Sequence, residues 1–193
     1  MKIIGVGCGP GLLTEQAIRE LRRARSVYGS DRAIEIARPF LPKNCAVSPI
    51  DDYKKLPALQ DSAVILSTGD PMLAGLGYLE GTVIPGISSL QVAAARLHIP
   101  LPRVTVVVAH GRGHEQGIRD TVDEVKKGKI VFLLADPKFS VADLYSRLAA
   151  LSLPLQVAVL ENLAYPEERM VVGDIASPPL PEADLYSLVI GNF

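Results

Sequence analysis

The segment TVIPGISSLQVAAARL, residues 82–97, carries the pattern that decides the fold. A short apolar run leads into the turn pair Pro85-Gly86, and a stretch with helical character begins at Ser88. Ser88 and Gln91 have the S-x-x-Q spacing of a capping box, in which two side chains satisfy backbone donors of the first helical turn. Strand, tight turn and capped helix form the unit of a parallel sheet, because parallel strands need crossover helices. The segment therefore predicts the α/β fold class.

The same alternation continues along the rest of the chain. Further strands are predicted at Lys2–Val6, Ser26–Gly29, Ala63–Ser67, Val104–Ala109, Ile130–Ala135, Gln156–Glu161, Arg169–Val172 and Leu185–Ile190. Further helices are predicted after a cap at Thr14 and at Asp31–Ala37, Glu115–Lys127 and Ser140–Leu151, the last capped by Ser140. Little regular structure is predicted between Pro39 and Pro57, where prolines interrupt the chain.

Pro100 and Pro102 mark the predicted domain boundary, because neither proline can continue the preceding helix and an apolar run follows at once. The predicted domains are residues 1–101 and 102–193. Little helical sequence separates the last three strands, so the second domain is expected to contain an antiparallel or mixed sheet. The architecture expected is two small α/β domains that meet in a cleft.

Composition excludes several classes of protein. In 193 residues, Lys and Arg (20) nearly balance Asp and Glu (21), and aromatic residues make up only 5% with no Trp. This balance gives no global field for nucleic acid and no stacking platform for single strands. Apolar runs of about six residues are far below the ~20 that a membrane helix needs. Two cysteines, Cys8 and Cys45, favour thiols over a disulfide framework, and a cytoplasmic protein is expected.

The glycine-rich loop Gly5–Gly11 follows the first predicted strand. The dinucleotide fingerprint G-x-G-x-x-G fails in both registers, since Pro10 or Leu12 occupies the position of the third glycine. Asp31 nevertheless lies where a ribose-binding acid would be expected, so a nicotinamide-dependent oxidoreductase remains an alternative. Alternating glycines remove side chains from one stretch of surface, which favours close approach of the backbone to a ligand.

Two apolar strands end in the same dipeptide, Asp70-Pro71 and Asp136-Pro137. Sites in α/β sheets gather at the carboxyl ends of strands, although Asp-Pro is also a common way to open a turn. A third strand end carries His110-Gly111-Arg112-Gly113-His114. Two histidines four residues apart converge on a metal only in a helix, and the intervening glycines argue against one. No metal site is predicted.

Taken together, these motifs resemble the tetrapyrrole methylases, which are S-adenosyl-L-methionine-dependent enzymes. The resemblance rests on the order and spacing of GVGCGPG at 5–11, STGDP at 67–71 and IPGISS at 84–89. Within the family, HGR at 110–112, ADP at 135–137 and ENLAYPEER at 161–169 most resemble the branch that methylates carbon 5 of a cobalt-precorrin in cobalamin synthesis. The resemblance to the family extends from residue 2 to about residue 191. A siroheme or diphthine type of methylase is the alternative within the family, and a non-catalytic corrinoid carrier is another.

The resemblance implies two α/β domains with the methyl donor in the cleft between them, and a homodimer. Carried over by position, the donor-binding residues are Gly7, Cys8, Pro10, Gly69, Asp70, Leu73, Ser88, Ser89, Leu134 and Tyr186. No catalytic acid or base is assigned. The segment Met72–Val83 is shorter than the full helix that relatives often have there, so a shortened crossover is expected.

The implied substrate carries acetate and propionate groups, which require local cations in a protein of net charge −1. Arg is suited to bidentate contacts with carboxylates. The candidate substrate-binding residues are His110, Arg112, Lys138 and Arg169.

Overall fold

A computed structural model describes residues 1–59, 62–111 and 113–193 of the chain. The strands are β1 (Lys2–Gly5), β2 (Ser26–Gly29), β3 (Ala46–Pro49), β4 (Val64–Ser67), β5 (Thr82–Ile84), β6 (Val104–Ala109), β7 (Ile130–Ala135), β8 (Gln156–Glu161), β9 (Arg169–Asp174) and β10 (Tyr186–Gly191). The α-helices are α1 (Glu15–Leu21), α2 (Asp31–Ala37), α3 (Pro71–Ala74), α4 (Ser89–Arg96), α5 (His114–Lys126) and α6 (Val141–Ala149). Short 3₁₀ turns lie at Arg38–Phe40, Tyr53–Ala58 and Leu101–Arg103.

The first compact unit, Met1–Ser89, contains a parallel sheet with the strand order β3-β2-β4-β1-β5. Its central strands are buried on both faces, as parallel strands covered by helices require. The chain leaves β1 toward one edge of the sheet and leaves β4 toward the other. The switch point between these two strands is where α/β sheets place their ligands, outside the carboxyl ends of the strands.

Side-chain caps explain where three helices begin. The hydroxyl of Thr14 accepts a hydrogen bond from the backbone N–H of Ala17 at 3.1 Å, and Ser140 caps α6 in the same way at 3.3 Å. The predicted caps at Thr14 and Ser140 are thus confirmed, whereas the capping box of Ser88 and Gln91 stays a prediction. Ser30 caps α2, whose first residue, Asp31, places a negative charge at the positive end of the helix dipole.

One strand contradicts the sequence prediction. Residues 39–57 were expected to have little regular structure, yet β3 pairs in parallel with β2 over its whole length. All of its residues are at least partly exposed, because β3 lies at the edge of the sheet, so no apolar run marks it. Pro49 ends the strand, at a position where a missing N–H is tolerated.

The crossover from β4 to β5 is short, as expected, and contains only the four-residue helix α3. Glycines let it fold tightly: a Cβ on Gly75 would lie 2.3 Å from Oγ of Ser67, and one on Gly77 would lie 2.4 Å from Sδ of Met72.

The second compact unit, Leu90–Phe193, contains a mixed sheet with the strand order β6-β7-β10-β8-β9. Strands β6 and β7 are parallel, whereas β10 pairs antiparallel with both β7 and β8, and β8 pairs antiparallel with β9. The predicted mixed sheet is thus confirmed. Apolar residues on one face of this sheet form a core with α5 and α6, centred on Leu133, Leu144, Leu148 and Leu188.

The division between the compact units falls after Ser89, so α4 groups with the second unit. The boundary predicted at residue 101 lies in the 3₁₀ turn that follows α4, and it stays a prediction. No helix within the described residues is long and apolar enough to cross a membrane.

Close packing of α5 on β6 depends on Gly117, where a Cβ would lie 2.6 Å from Cβ of Ala109. We expect Gly117→Ala to destabilise the protein, because overpacking costs about 1–3 kcal/mol and outweighs a gain in helix propensity of up to about 1 kcal/mol. Denaturant unfolding measures the change. The double variant Ala109→Gly/Gly117→Ala should lose less free energy of unfolding than the two single variants lose together, because the smaller residue at position 109 makes room for the new methyl group. Additive losses would contradict this account.

Candidate functional site

Backbone hydrogen bonds join three loops at the carboxyl ends of β4, β1 and β5. The N–H of Gly7 donates to the carbonyl of Gly69 at 3.2 Å, and the N–H of Gly69 donates to the carbonyl of Gly7 at 2.8 Å. The next residue, Cys8, donates its N–H to the carbonyl of Ile87 at 2.9 Å. The glycine-rich loop after β1 therefore lies between the other two, at the switch point of the sheet.

Glycine is required where these loops meet. A Cβ on Gly5 would lie 2.5 Å from the backbone nitrogen of Gly86, and a Cβ on Gly86 would lie 2.2 Å from the carbonyl oxygen of Gly69. Gly69 itself has a φ of +69°, a left-handed conformation that side chains disfavour. The result is a surface made largely of backbone N–H and C=O groups, which suits the close approach of a ligand.

Asp70 ties the β4 loop to the β5 loop through its carboxylate. Oδ1 accepts a hydrogen bond from the N–H of Met72 at 2.8 Å, and Oδ2 accepts one from the N–H of Gly86 at 3.0 Å. The first bond caps α3, and the second fixes the turn that leads to Ser88. This positioning role was not predicted from the sequence, since its evidence is a partner 16 residues away.

Asp136 makes the corresponding connection in the second unit, between the ends of β6 and β7. Oδ1 accepts from the N–H of Lys138 at 2.8 Å, while Oδ2 accepts from the N–H of Gly111 at 2.6 Å and lies 2.9 Å from Nε2 of His114. The N–H of Gly111 is the main reason that the pKa of Asp136 is lowered to about 2, with further contributions from His114 and Lys138.

The two Asp-Pro turns are therefore built alike. In each, one carboxylate oxygen accepts the N–H two residues further on, and the other accepts an N–H from the loop after another strand of the same sheet. The repeated dipeptide is thus more than a turn opener, because both carboxylates join separate loops.

Charged residues also connect the facing ends of β8 and β9 to the loop between β9 and β10. Glu161 is almost fully buried and accepts hydrogen bonds from the backbone N–H groups of Glu182 and Ala183 and from Nη1 of Arg169 at 2.6 Å. Burial opposes its ionisation, but these donors outweigh burial and hold the pKa of Glu161 below its ordinary value. Nη2 of Arg169 contacts Glu182 at 2.6 Å, so the guanidinium bridges two carboxylates.

The loop between β8 and β9 is joined to α4 by another ion pair. Glu168 pairs with Arg96 of α4 at 2.6 Å and accepts the N–H of Ala164 at 2.7 Å. Ala164 and Asn162 both have positive φ, which is uncommon for residues other than glycine. The carboxylate of Glu168 therefore helps to hold a strained loop.

The sequence profile of the tetrapyrrole (corrin/porphyrin) methylases matches residues 2–179. The chain belongs to this family. A probable cobalt-precorrin-7 C(5)-methyltransferase from Methanocaldococcus jannaschii is 31% identical, over 86% of this chain and 85% of that protein. Because the chain belongs to a methylase family, a nicotinamide-dependent oxidoreductase is no longer an alternative.

Solved structures agree with this assignment. The precorrin-6Y methylase of cobalamin biosynthesis from Archaeoglobus fulgidus is similar with a TM-score of 0.79 and 30% identity, covering 100% of this chain and 98% of that one. A uroporphyrin-III C-methyltransferase from Thermus thermophilus, complexed with S-adenosyl homocysteine, has a TM-score of 0.71 at 20% identity over 98% and 96% of the two chains. At 20% identity, the likeness to the T. thermophilus enzyme shows a shared fold alone. The two-domain α/β fold of the tetrapyrrole methylases is thus confirmed.

Most of the predicted donor-binding residues of this methylase cluster in the first unit. The backbone ties place Gly7, Cys8, Gly69 and Asp70 together, and Ser88 lies beside them, because its Cα would be 3.9 Å from a Cβ on Gly69. The others belong to the same loops or follow them: Leu73 is half-buried in α3, Pro10 is exposed, and Ser89 begins α4. Their contact with a methyl donor stays a prediction.

Leu134 and Tyr186, the predicted donor contacts in the second unit, lie on opposite faces of their sheet. Tyr186 belongs to the core shared with α5 and α6 and donates its hydroxyl to the carbonyl of Asp136 at 3.1 Å, and burial raises its pKa to about 12. Leu134 faces away from that core, since side chains alternate along a strand. Its partner in register on β10 is Ser187, whose buried hydroxyl has no hydrogen-bond partner among the described residues.

Ser187 is therefore the residue of β10 that lies opposite Leu134 on the same face, and sequence reasoning missed it. A shift of one position along a strand changes the face, and no apolar or polar pattern in the sequence marks which face a ligand would use. The predicted donor contact of Tyr186 stays a prediction.

Three of the predicted substrate-binding residues, His110, Lys138 and Arg169, lie in the second unit. His110 is exposed directly after β6, and Lys138 is exposed directly after the Asp136-Pro137 turn. Arg169 is half-buried and already carries two carboxylate partners. Arg112 lies outside the described residues. No group of three or more His, Cys, Asp or Glu within the described ranges could hold a metal ion.

Gly86→Ala tests the convergence of the three loops. Its Cβ cannot coexist with the carbonyl of Gly69, so we expect a loss of about 1–3 kcal/mol in the free energy of unfolding together with loss of S-adenosylhomocysteine binding. Calorimetric titration and denaturant unfolding measure both effects. Gly128→Asn is the matched control, because it lies outside these loops, a Cβ there meets nothing within 4 Å, and Asn tolerates a φ of +76°. Unchanged binding by Gly86→Ala would contradict the proposed geometry.

Asp136→Asn tests the carboxylate of the second unit. At pH 7 we expect a loss of about 1–3 kcal/mol in stability, since the N–H of Gly111 loses a charged acceptor. The pKa of Asp136 is lowered to about 2 in the folded protein, so its contribution is present above pH ~4 and is lost as the pH falls toward 2. Unfolding of both proteins at pH 7 and pH 3 should therefore give a smaller difference at pH 3. An equal difference at both values would contradict the assignment.

Proposed function

We propose that this methylase transfers the methyl group of S-adenosyl-L-methionine to carbon 5 of a precorrin or cobalt-precorrin in cobalamin biosynthesis. The observation that carries the proposal is the similarity to the C(5)-methyltransferase from M. jannaschii over most of both chains. The precorrin-6Y methylase from A. fulgidus supports the same pathway at similar identity. These two relatives favour a corrin precursor over a siroheme or diphthine type of substrate. Their names also favour an enzyme over a carrier.

The loops of the first unit fit a methyl donor in chemistry. Gly7, Gly69 and Gly86 present backbone without side chains, and Ser88 adds a buried hydroxyl next to them. Such a surface can follow the outline of a nucleoside and its amino-acid tail while excluding water. The structure of a relative with S-adenosyl homocysteine supports a donor of this class. In the second unit, the proposal includes Leu134 and Tyr186.

When bound, the donor supplies an electrophilic methyl group on a sulfonium, and the sulfur leaves as a neutral thioether. Charge is dispersed rather than created in such a displacement, so the protein's task is to align the two reacting atoms and exclude water. The ties among Gly7, Gly69, Asp70 and Gly86 hold the backbone rigid for that purpose. No side chain is assigned as a general acid or base.

The carboxylates of the tetrapyrrole require cations, and we assign His110, Arg112, Lys138 and Arg169 as candidates. His110 and Lys138 both follow strands that Asp136 ties together, so their backbones are held at one edge of the sheet. Arg169 would have to share its guanidinium with Glu161 and Glu182. A homodimer in the cytoplasm remains part of the proposal.

Ligand titration tests the donor site. S-adenosylhomocysteine should bind the wild-type protein and NAD should not, and the reverse result would contradict the proposal. Transfer of a labelled methyl group from the donor to the corrin precursor then tests the reaction and its position. Absence of transfer by a protein that binds S-adenosylhomocysteine would exclude carbon 5 of this substrate.

Asp70→Ala should weaken S-adenosylhomocysteine binding about tenfold or more, because the turn before Ser88 loses the charged acceptor for Gly86. Asp52→Ala is the matched control, since Asp52 accepts the same local hydrogen bond from the N–H of Lys54 at 3.0 Å and bonds to no other loop among the described residues. Both variants should lose a local capping hydrogen bond, but only Asp70→Ala should lose affinity for S-adenosylhomocysteine. Equal affinities would show that the Asp70 turn serves stability alone.

A further inference from the structure

Arg32 lies at the edge of the donor-binding loops, although no sequence motif pointed to it. It is the second residue of α2, which begins directly after β2, and β2 is the neighbour of β4 in the sheet. Nη2 of Arg32 donates a hydrogen bond to Oγ1 of Thr68 at 3.2 Å. Thr68 directly precedes Gly69, which pairs with Gly7. The guanidinium therefore stands within one residue of the central tie of the site.

The charge of Arg32 is not compensated within the part of the chain that the structure describes. Many other cations have carboxylate partners there, including Lys2, Arg96, Arg119, Lys126, Lys127, Arg147 and Arg169. Arg32 forms no ion pair with a described residue, and its one described side-chain hydrogen bond is to a neutral hydroxyl. Arg32 is thus a half-buried cation beside the ligand surface with no counter-charge among the described residues.

The position of Arg32 in its helix argues against a purely stabilising role. A cation in the first turn of a helix opposes the helix dipole, whose positive end lies there. Asp31, the residue before it, has the favourable sign, whereas Arg32 has the unfavourable one. Fold stability gains little from a charge that has no partner and opposes the dipole.

A guanidinium offers five N–H donors in a planar fork, and the bond to Thr68 uses one of them. The remaining donors have the geometry that carboxylates accept in pairs. We propose that Arg32 binds a carboxylate of the ligand in the active site, with Thr68 fixing the orientation of the guanidinium. The inference rests on the proposed function, which supplies two sources of that group: a side chain of the tetrapyrrole and the amino-acid end of the methyl donor.

The test compares Arg32→Met, which keeps the length of the stem and removes the charge, with Arg32→Lys, which keeps the charge and removes the fork. Arg25→Met is the matched control, because Arg25 is an exposed arginine of the same unit with no described ion pair. Three quantities are measured for each protein: the melting temperature, the Kd for S-adenosylhomocysteine, and KM and kcat for methylation of the corrin precursor.

We expect Arg32→Met to keep the melting temperature of the wild type and to lose about tenfold or more in affinity for one ligand, since the lost contact is charge-assisted. The affinity of Arg32→Lys for that ligand should lie between those of the wild type and Arg32→Met. Arg25→Met should have the affinity of the wild type. A rise in KM at constant kcat with an unchanged Kd for S-adenosylhomocysteine assigns the carboxylate to the tetrapyrrole. A weaker Kd for S-adenosylhomocysteine assigns it to the donor.

Three outcomes would overturn the inference. If Arg32→Met binds both ligands like an active wild type, Arg32 is not a carboxylate-binding residue, and the proposed function stands. A lower melting temperature without any loss of affinity would likewise make Arg32 a structural residue. If the wild type itself neither binds S-adenosylhomocysteine nor methylates the corrin precursor, the proposed function fails, and the inference that rests on it fails with it.

Discussion

The pairing of Gly7 with Gly69 is the interaction on which the site of the first unit depends. Parallel strands deliver their following loops to the same edge of a sheet, but they do not by themselves bring those loops into contact. Two reciprocal backbone hydrogen bonds do so here, and they need glycine at the crossing points because Gly7 and Gly69 have positive φ values of +81° and +69°. The bond from the N–H of Gly86 to the carboxylate of Asp70 and the bond from the N–H of Cys8 to the carbonyl of Ile87 then add the third loop to this pair.

In both sheets, an Asp-Pro dipeptide at the end of a strand joins two loops. Asp70 and Asp136 each follow a buried strand, and each carboxylate binds its own turn and a loop from elsewhere in the chain. A carboxylate suits this position because it accepts several N–H groups at once, and backbone donors at strand ends are otherwise unsatisfied. Proline after the aspartate fixes the backbone that starts the turn. In the second unit the same oxygen also meets His114, which connects the turn to α5.

Apolar runs and helix caps were sufficient to predict most of the fold. Strands β2, β6 and β7 have the bounds that their sequence indicates. The signal is clearest for β7, which is apolar throughout because it is buried inside the sheet. β3 was missed because an exposed edge strand has no such requirement. The site is harder to predict, since its contacts join distant residues: Arg32 reaches a hydroxyl 36 residues away, and one step along β10 decides whether Tyr186 or Ser187 faces Leu134.

Net charge proves a poor guide to what this methylase can bind. A formal charge of −1 describes a chain in which many cations are already paired with carboxylates, some of which hold loops, as Arg169 does with Glu161. Such pairs cancel at a distance and contribute little to the attraction of an anion, because salt screens exposed charges beyond about 8–10 Å. Recognition of a polycarboxylate must then rest on those cations without a carboxylate partner that lie beside the site. Their placement at strand ends, next to backbone that is held in position, matters more than their number.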